Sequence, residues 1–255
     1  MTVYEDKLQR EREWYTNHGF RQDHVLNSRL FWSERRNSFN YVFPKNRLAS
    51  LIRQAMRRSG LANPRMLVAP VGSGDDLKYL TPLSTDIAGI DISAEAVGQI
   101  QEPAVARHVG DMKHMTMFPD GHFDMVVVPL FFHHYMKYGV GEFLRELHRV
   151  LKPGGHLFSL EPSILNPVSC AARLIKRFVG NISGHLEDEA PFVPTRLAAA
   201  MRECGFRDVR VCGASFTHCR TPIFLARIHN VLTFPLLKVP PLKYFAWQCL
   251  FYGRK

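Results

Sequence analysis

Three short segments carry the side chains best suited to holding a ligand. Val71-Gly72-Ser73-Gly74-Asp75 ends an apolar run in a glycine turn. Such a turn lets a ligand approach the backbone closely, and its exposed N–H groups favour an electronegative group. Gly89-Ile90-Asp91-Ile92-Ser93 sets a carboxylate at the end of the next apolar run, 17 residues after Gly74. An acid there holds ribose hydroxyls in doubly wound nucleoside-binding folds. The competing role, capping a helix N-terminus, suits Ser93 better than Asp91. Gly110-Asp111-Met112 follows a third run and pairs a carboxylate, able to take an adenine amino group, with an apolar side chain able to cover the ring.

Candidates for proton transfer lie further on. His133 and His134 follow the fourth apolar run. As neighbours they point about 100° apart in a helix, so at most one faces a pocket. His185 sits among Glu187, Asp188 and Glu189 in a polar loop, and Glu161 ends the fifth run. Each has a plain alternative: a structural histidine pair, a solvated acidic loop, a strand-end carboxylate. No third ligand is spaced to make the histidines a metal site, and the five cysteines contain no C-x-x-C pair. No metal is expected. Cys170 has no evident activating partner.

The elements that must position these residues follow from the apolar patterning. Met66–Val71, Asp86–Ile92, Ala104–Val109, Phe123–Val128 and His156–Leu160 read as buried strands. Phe143, Leu144, Leu147, Val150 and Leu151 mark a helix between the last two, closed by Lys152-Pro153-Gly154-Gly155. Continuous apolar strands alternating with helices predict a parallel sheet covered on both faces. Upstream, a helix is expected to begin at Pro44 and end at Gly60. Downstream, helices are expected from Pro167 and over Thr195–Cys204, and strands over Val209–Ala214 and Phe245–Tyr252.

Length and composition suit one large domain of 255 residues. They exclude disordered, collagen-like and disulfide-stapled classes. No apolar run is long enough for a membrane span, and the polar opening residues do not resemble a signal peptide. The odd, scattered cysteines fit a reducing, cytoplasmic compartment. Residues 1–65 carry 13 lysines and arginines against 6 carboxylates, and residues 195–255 carry 10 against 2. These basic flanks suit anionic partners such as phospholipid headgroups, an acidic protein or RNA, or are simply solvated helix faces.

The segments VAPVGSGDD, GIDIS, GDMKHMTMFPDGHFDMVVVPLFFHHY and FLRELHRVLKPGGHLFSLEPS, in that order, resemble class I S-adenosylmethionine-dependent methyltransferases. The likeness is to the branch acting on small molecules, lipids and quinones. It is strong over residues 64–161 and moderate over 192–214. It implies an α/β, doubly wound, Rossmann-like sheet of seven strands with an antiparallel last strand. Residues 1–63 would form a helical N-terminal lid. The cofactor-binding domain would span 64–255, with cap insertions at about 162–190 and 217–244.

Carried over by the resemblance, Val71, Gly72, Ser73 and Gly74 line the methionine and ribose part of S-adenosylmethionine. Asp91 holds the ribose, with Ile92 against the adenine. Asp111 and Met112 take the adenine edge and face, and Pro129 and Leu130 lie near the sulfonium. Two positions depart from the family pattern. Pro70 stands where an acid usually partners the methionine ammonium, and Asp76 replaces a later glycine. Asp75 or Asp76 could compensate for the first.

Val128-Pro129-Leu130-Phe131 lacks the Asn/Asp-Pro-Pro-aromatic run common in enzymes that methylate base amines, which argues against DNA and disfavours RNA. The expected acceptor is a small hydrophobic or lipid-like molecule, methylated at O, C or N. RNA held by the basic flanks, or a non-catalytic scaffold role signalled by Pro70, are the alternatives. The apolar stretch Pro222–Leu242, with its scattered cations, fits peripheral membrane contact or packing on the sheet, packing being the commoner outcome.

Overall fold

The apolar runs become strands of one sheet, with order β3-β2-β1-β4-β5-β7-β6. The strands are β1 (Met66–Val68), β2 (Ile87–Asp91), β3 (Ala106–Val109), β4 (Phe123–Pro129), β5 (Leu151–Pro162), β6 (Arg207–Ser215) and β7 (Gln248–Arg254). β7 runs antiparallel to both neighbours, and the pairs among β1–β5 are parallel. This is the α/β doubly wound architecture expected. The structure, a computed structural model, describes residues 4–10, 34–171, 174, 191–219 and 221–255. His185 and its acidic neighbours lie outside the described residues.

Helices cover both faces. They are α1 (residues 4–10), α2 (Glu34–Ser59), α3 (Leu77–Leu80), α4 (Ala94–Gly98), α5 (Phe132–Tyr135), α6 (Gly141–Val150), α7 (residues 167–171), α8 (Pro194–Glu203) and α9 (Ile223–Thr233). On one face α6 buries Phe143, Leu144, Leu147 and Val150 against Val126, Val128, Leu157 and Phe251. Truncating one of these large side chains costs roughly 2–5 kcal/mol. On the other, Leu48, Ile52 and Met56 of α2 pack with Met66, Val68, Met125 and Phe158. Residues 34–59 therefore share the core of the sheet, whereas α1 lies over its carboxyl edge.

Several boundaries differ from the sequence expectation. α2 begins by Glu34, not at Pro44, which sits inside the helix. Pro44 removes one backbone donor. The turn before it is anchored from outside, because the buried Asn40 amide donates to the carbonyls of Cys219 and Thr221. β1 stops at Val68 because Pro70 has no N–H. The ladder resumes beyond it, Val71 N donating to Ile90 O at 2.9 Å. β5 begins at Leu151, three residues before the glycines read as its preceding turn. β7 starts at Gln248, because residues 242–245 wind into a 3₁₀ turn after Pro241. β3 gave the weakest apolar signal for a simple reason: it is an edge strand with exposed side chains.

Candidate active site

The strand order reverses between β1 and β4, and a cavity opens at the carboxyl ends of the strands there. Ligands of open α/β sheets bind at such a switch point. Gly72, Asp91, Ile92, Asp111, Met112, Leu130 and His134 line this cavity together. Pro70, Ser93, Gly110, Phe131, Tyr135, Phe143, Tyr4 and Leu8 complete the wall.

Local structure explains each placement. Gly72 has φ +54°, which disfavours any side chain, and nothing stands within 4 Å of where a Cβ would lie. The turn thus leaves open space beside its backbone. The Asp91 carboxylate fixes the turn by accepting from Gly72 N through Oδ2 and from Ser93 N through Oδ1, each at 2.9 Å. Ser93 Oγ in turn caps α4 by accepting from Ala96 N. A Cβ at Gly89 would meet Val71 Cγ2 at 2.8 Å, so the second strand can lie against the first only with glycine there. Leu130 adopts φ +51°, an unfavourable conformation for a leucine, at the point where β4 opens into the cavity.

The other expected positions, His133 among them, are not part of the cavity wall. Val71 is buried in the core, and Pro129 is the buried last residue of β4. Ser73 and Gly74 follow Gly72 in the turn and do not line the cavity. Asp76 pairs with Lys45 of α2 at 2.7 Å, and Asp75 is exposed; neither lines the cavity. Burial pushes the Cys249 thiol up to about 12, which makes it inert.

Two features were not foreseen. The Tyr4 hydroxyl donates to both oxygens of Asp111, at 2.8 and 2.9 Å, so α1 closes the cavity on the side expected for adenine. Its ring packs at 6.0 Å from those of Tyr135 and Phe143, and the Lys113 ammonium sits 3.3 Å from its centroid. Lys113 also pairs with Glu142, holding that carboxyl below its usual range.

The second feature is the set of bonds that ties Glu161, the carboxylate ending the fifth run, to the turn after β4. Glu161 is fully buried. Its Oε1 accepts from Phe131 N and Phe132 N at 2.9 and 2.8 Å, and its Oε2 from His133 N at 3.2 Å. His133 Nδ1 lies 2.8 Å from Oε2. With a carboxylate as partner, Nδ1 is the ring nitrogen that carries a proton. The His133 ring is 4.2 Å, centroid to centroid, from that of His134, which lines the cavity.

Residues 68–159 match the methyltransferase domain family. Together with the sheet order and the carboxyl-edge site, this defines a class I S-adenosylmethionine-dependent methyltransferase domain. Residues 68–159 carry that domain, whose family implies S-adenosylmethionine as the cofactor. Among particular proteins, it is 31% identical over 109 residues to the ubiquinone/menaquinone biosynthesis C-methyltransferase of Geotalea daltonii. That match covers 39% of this chain and 46% of the relative, a little under half its length. A solved S-adenosylmethionine-dependent methyltransferase from Thermotoga maritima, described as a possible histamine N-methyltransferase, superposes with TM-score 0.61 at 17% identity, covering 99% of this chain and 98% of its own. Another from Archaeoglobus fulgidus gives TM-score 0.52 at 17% identity, covering 81% and 94%. At such identities the solved structures establish the fold.

The residues fit the cofactor. Asp91 would hold the ribose, the open backbone at Gly72 would admit the amino-acid portion, and Ile92, Met112 and Asp111 would take the adenine. S-adenosylmethionine, when bound, supplies an electrophilic methyl group on a positively charged sulfur.

Proposed function

We propose that this chain methylates a small apolar acceptor bearing an ionisable hydroxyl, a hydroquinone-type ring being the chemical class favoured. The observation that carries the reading is the His133–Glu161 pair at the end of β4 and β5. Displacement at a sulfonium is driven largely by positioning, and a base is needed where the acceptor arrives protonated. In this reading the hydroxyl proton passes to the His133–His134 pair, whose second ring lines the cavity, and the buried Glu161 carboxylate beside His133 compensates the positive charge that results. Nearby walls are apolar or aromatic, from Leu130, Phe131, Tyr135 and Phe143, which suits a greasy ring better than a sugar or a peptide. The quinone-methylating relative, matched over a little under half its length, supports the same acceptor class.

The test is methyl transfer from labelled cofactor to hydroquinones carrying short isoprenoid tails. His133→Gln is expected to lower turnover roughly 10²- to 10⁴-fold, with cofactor affinity unchanged by calorimetry. Undiminished turnover in that variant would remove the base, and transfer only to RNA would remove the acceptor class.

A further inference from the structure

The segment after β6 leaves its apolar side uncovered. α9 buries Ala226 and Asn230 while Phe224, Leu225, Ile228, Val231 and Leu232 face outward. The expectation that this stretch packs on the sheet is therefore overturned for most of its large side chains. Val231 and Leu232 are 74% and 70% exposed, values unusual for aliphatic residues on a helix. The surface continues through the 3₁₀ turns at Phe234–Lys238 and Leu242–Phe245, where Phe234, Leu236, Val239, Leu242 and Phe245 are also exposed.

Charge selects the partner. No aspartate or glutamate occurs after Asp208, while Arg227, Lys238 and Lys243 accompany the apolar side chains. A second copy of this chain is a poor fit. A two-fold interface sets like residues near one another, and these cations would meet with no carboxylate of this segment between them. A bilayer with anionic headgroups meets both requirements, taking the apolar side chains below the headgroups and the cations among them. No described helix is long and apolar enough to cross a membrane, so the contact is peripheral.

We propose that α9 and the two 3₁₀ turns form a docking surface for an anionic phospholipid bilayer. The surface is fastened to the active-site edge of the sheet. Ser163, just past β5, donates through Oγ to Tyr244 O at 2.9 Å, and Asn166 donates through its amide to Phe245 O at 3.1 Å. Docking thus brings the carboxyl end of β5, where Glu161 and His133 lie, close to the lipid. The proposal rests on the exposed surface and not on the acceptor, so the two can fail separately.

Flotation of the full chain with vesicles tests it without turnover. One vesicle set is phosphatidylcholine alone, the other an equimolar mixture with phosphatidylglycerol. The wild type is expected to float with the anionic set and to be released by raised salt. Val231→Asp with Leu232→Asp should weaken partitioning roughly a hundredfold. Neither side chain is buried, so folding, followed by circular dichroism, should be unchanged. Lys238→Glu with Lys243→Glu should weaken it by at least about fivefold per lysine, and only on anionic vesicles. Failure to float with either set overturns the proposal, as does flotation indifferent to headgroup charge or to the Val231/Leu232 pair. A wild-type dimer in light scattering that the aspartates dissociate, without flotation, assigns the surface to self-association instead.

Discussion

Glu161→Gln isolates what the buried carboxylate does for His133. Glutamine keeps the volume and one carbonyl oxygen. Oε1 of the native residue receives two backbone N–H groups at 2.9 and 2.8 Å, plus the Ser159 hydroxyl at 3.2 Å. The amide oxygen is therefore expected at that position, which places the NH₂ group against His133. There it meets one backbone donor at 3.2 Å, which loses its acceptor, and Nδ1 at 2.8 Å. The contact with Nδ1 survives only if the imidazole changes tautomer, so that Nδ1 accepts and the proton moves to Nε2. One weak backbone bond and the charge assistance of the rest are lost, a destabilisation of about 1–3 kcal/mol. The larger effect is on the proposed chemistry: the proton on the His133 ring sits on Nε2 rather than on Nδ1. Turnover should fall roughly 10²- to 10⁴-fold, with binding of S-adenosylhomocysteine intact. Denaturant unfolding measures the first effect, steady-state methyl transfer the second, and ¹⁵N chemical shifts of the His133 ring report the tautomer directly. A folded variant with wild-type turnover, or with Nδ1 still protonated, would refute the positioning role.

Two further outcomes are open to direct measurement. Asp91→Ala removes the carboxylate expected to hold two ribose hydroxyls, and calorimetry should show S-adenosylhomocysteine affinity reduced by at least roughly a hundredfold; unchanged affinity would move the nucleoside elsewhere. His156 is buried between Ser59 Oγ at 2.8 Å and the Tyr252 hydroxyl at 3.0 Å, and burial, reinforced by Arg254, depresses its pKa below the ordinary 6.5. The unfolded chain then binds a proton that the folded chain refuses, so stability is complete above about pH 6.5 and declines as the pH falls through that value. Denaturant midpoints should drop on acidification, and His156→Gln should flatten the drop in that window.

The parts of the fold legible in the sequence are those governed by short-range pattern. The buried strands ending at the glycine turn and at Asp91 declare themselves because strands covered on both faces are continuously apolar. α6 does so because its buried residues repeat at helical spacing. Elements set by distant contacts were hidden. Pro44 reads as a helix start because nothing local shows that Asn40 will be anchored by the carbonyls of Cys219 and Thr221. In the site, Tyr4 is 107 positions from Asp111, and a lone tyrosine in an aromatic-rich segment carries no sign of that partner. Glu161 and His133 could each be picked out, but their pairing across 28 residues could not. For α9 the difficulty is different. An apolar stretch with scattered cations looks the same whether it packs inward or faces outward, and only the placement of the helix against β6 and α2 decides.

The hydroxyl of Tyr4 makes the adenine end of the site a shared resource. Both oxygens of Asp111 are engaged by a residue of α1, so a ligand that must displace Tyr4 to reach the carboxylate does so at the expense of that helix's own attachment. The two equilibria are then one. The apparent affinity for nucleoside is the intrinsic affinity scaled by the fraction of molecules in which Tyr4 has withdrawn. By the same reciprocity, whatever holds α1 in place competes with nucleoside and whatever loosens it assists, without touching the cavity. A methyltransferase arranged in this way has its hunger for cofactor set partly by a segment whose sequence says nothing about cofactors.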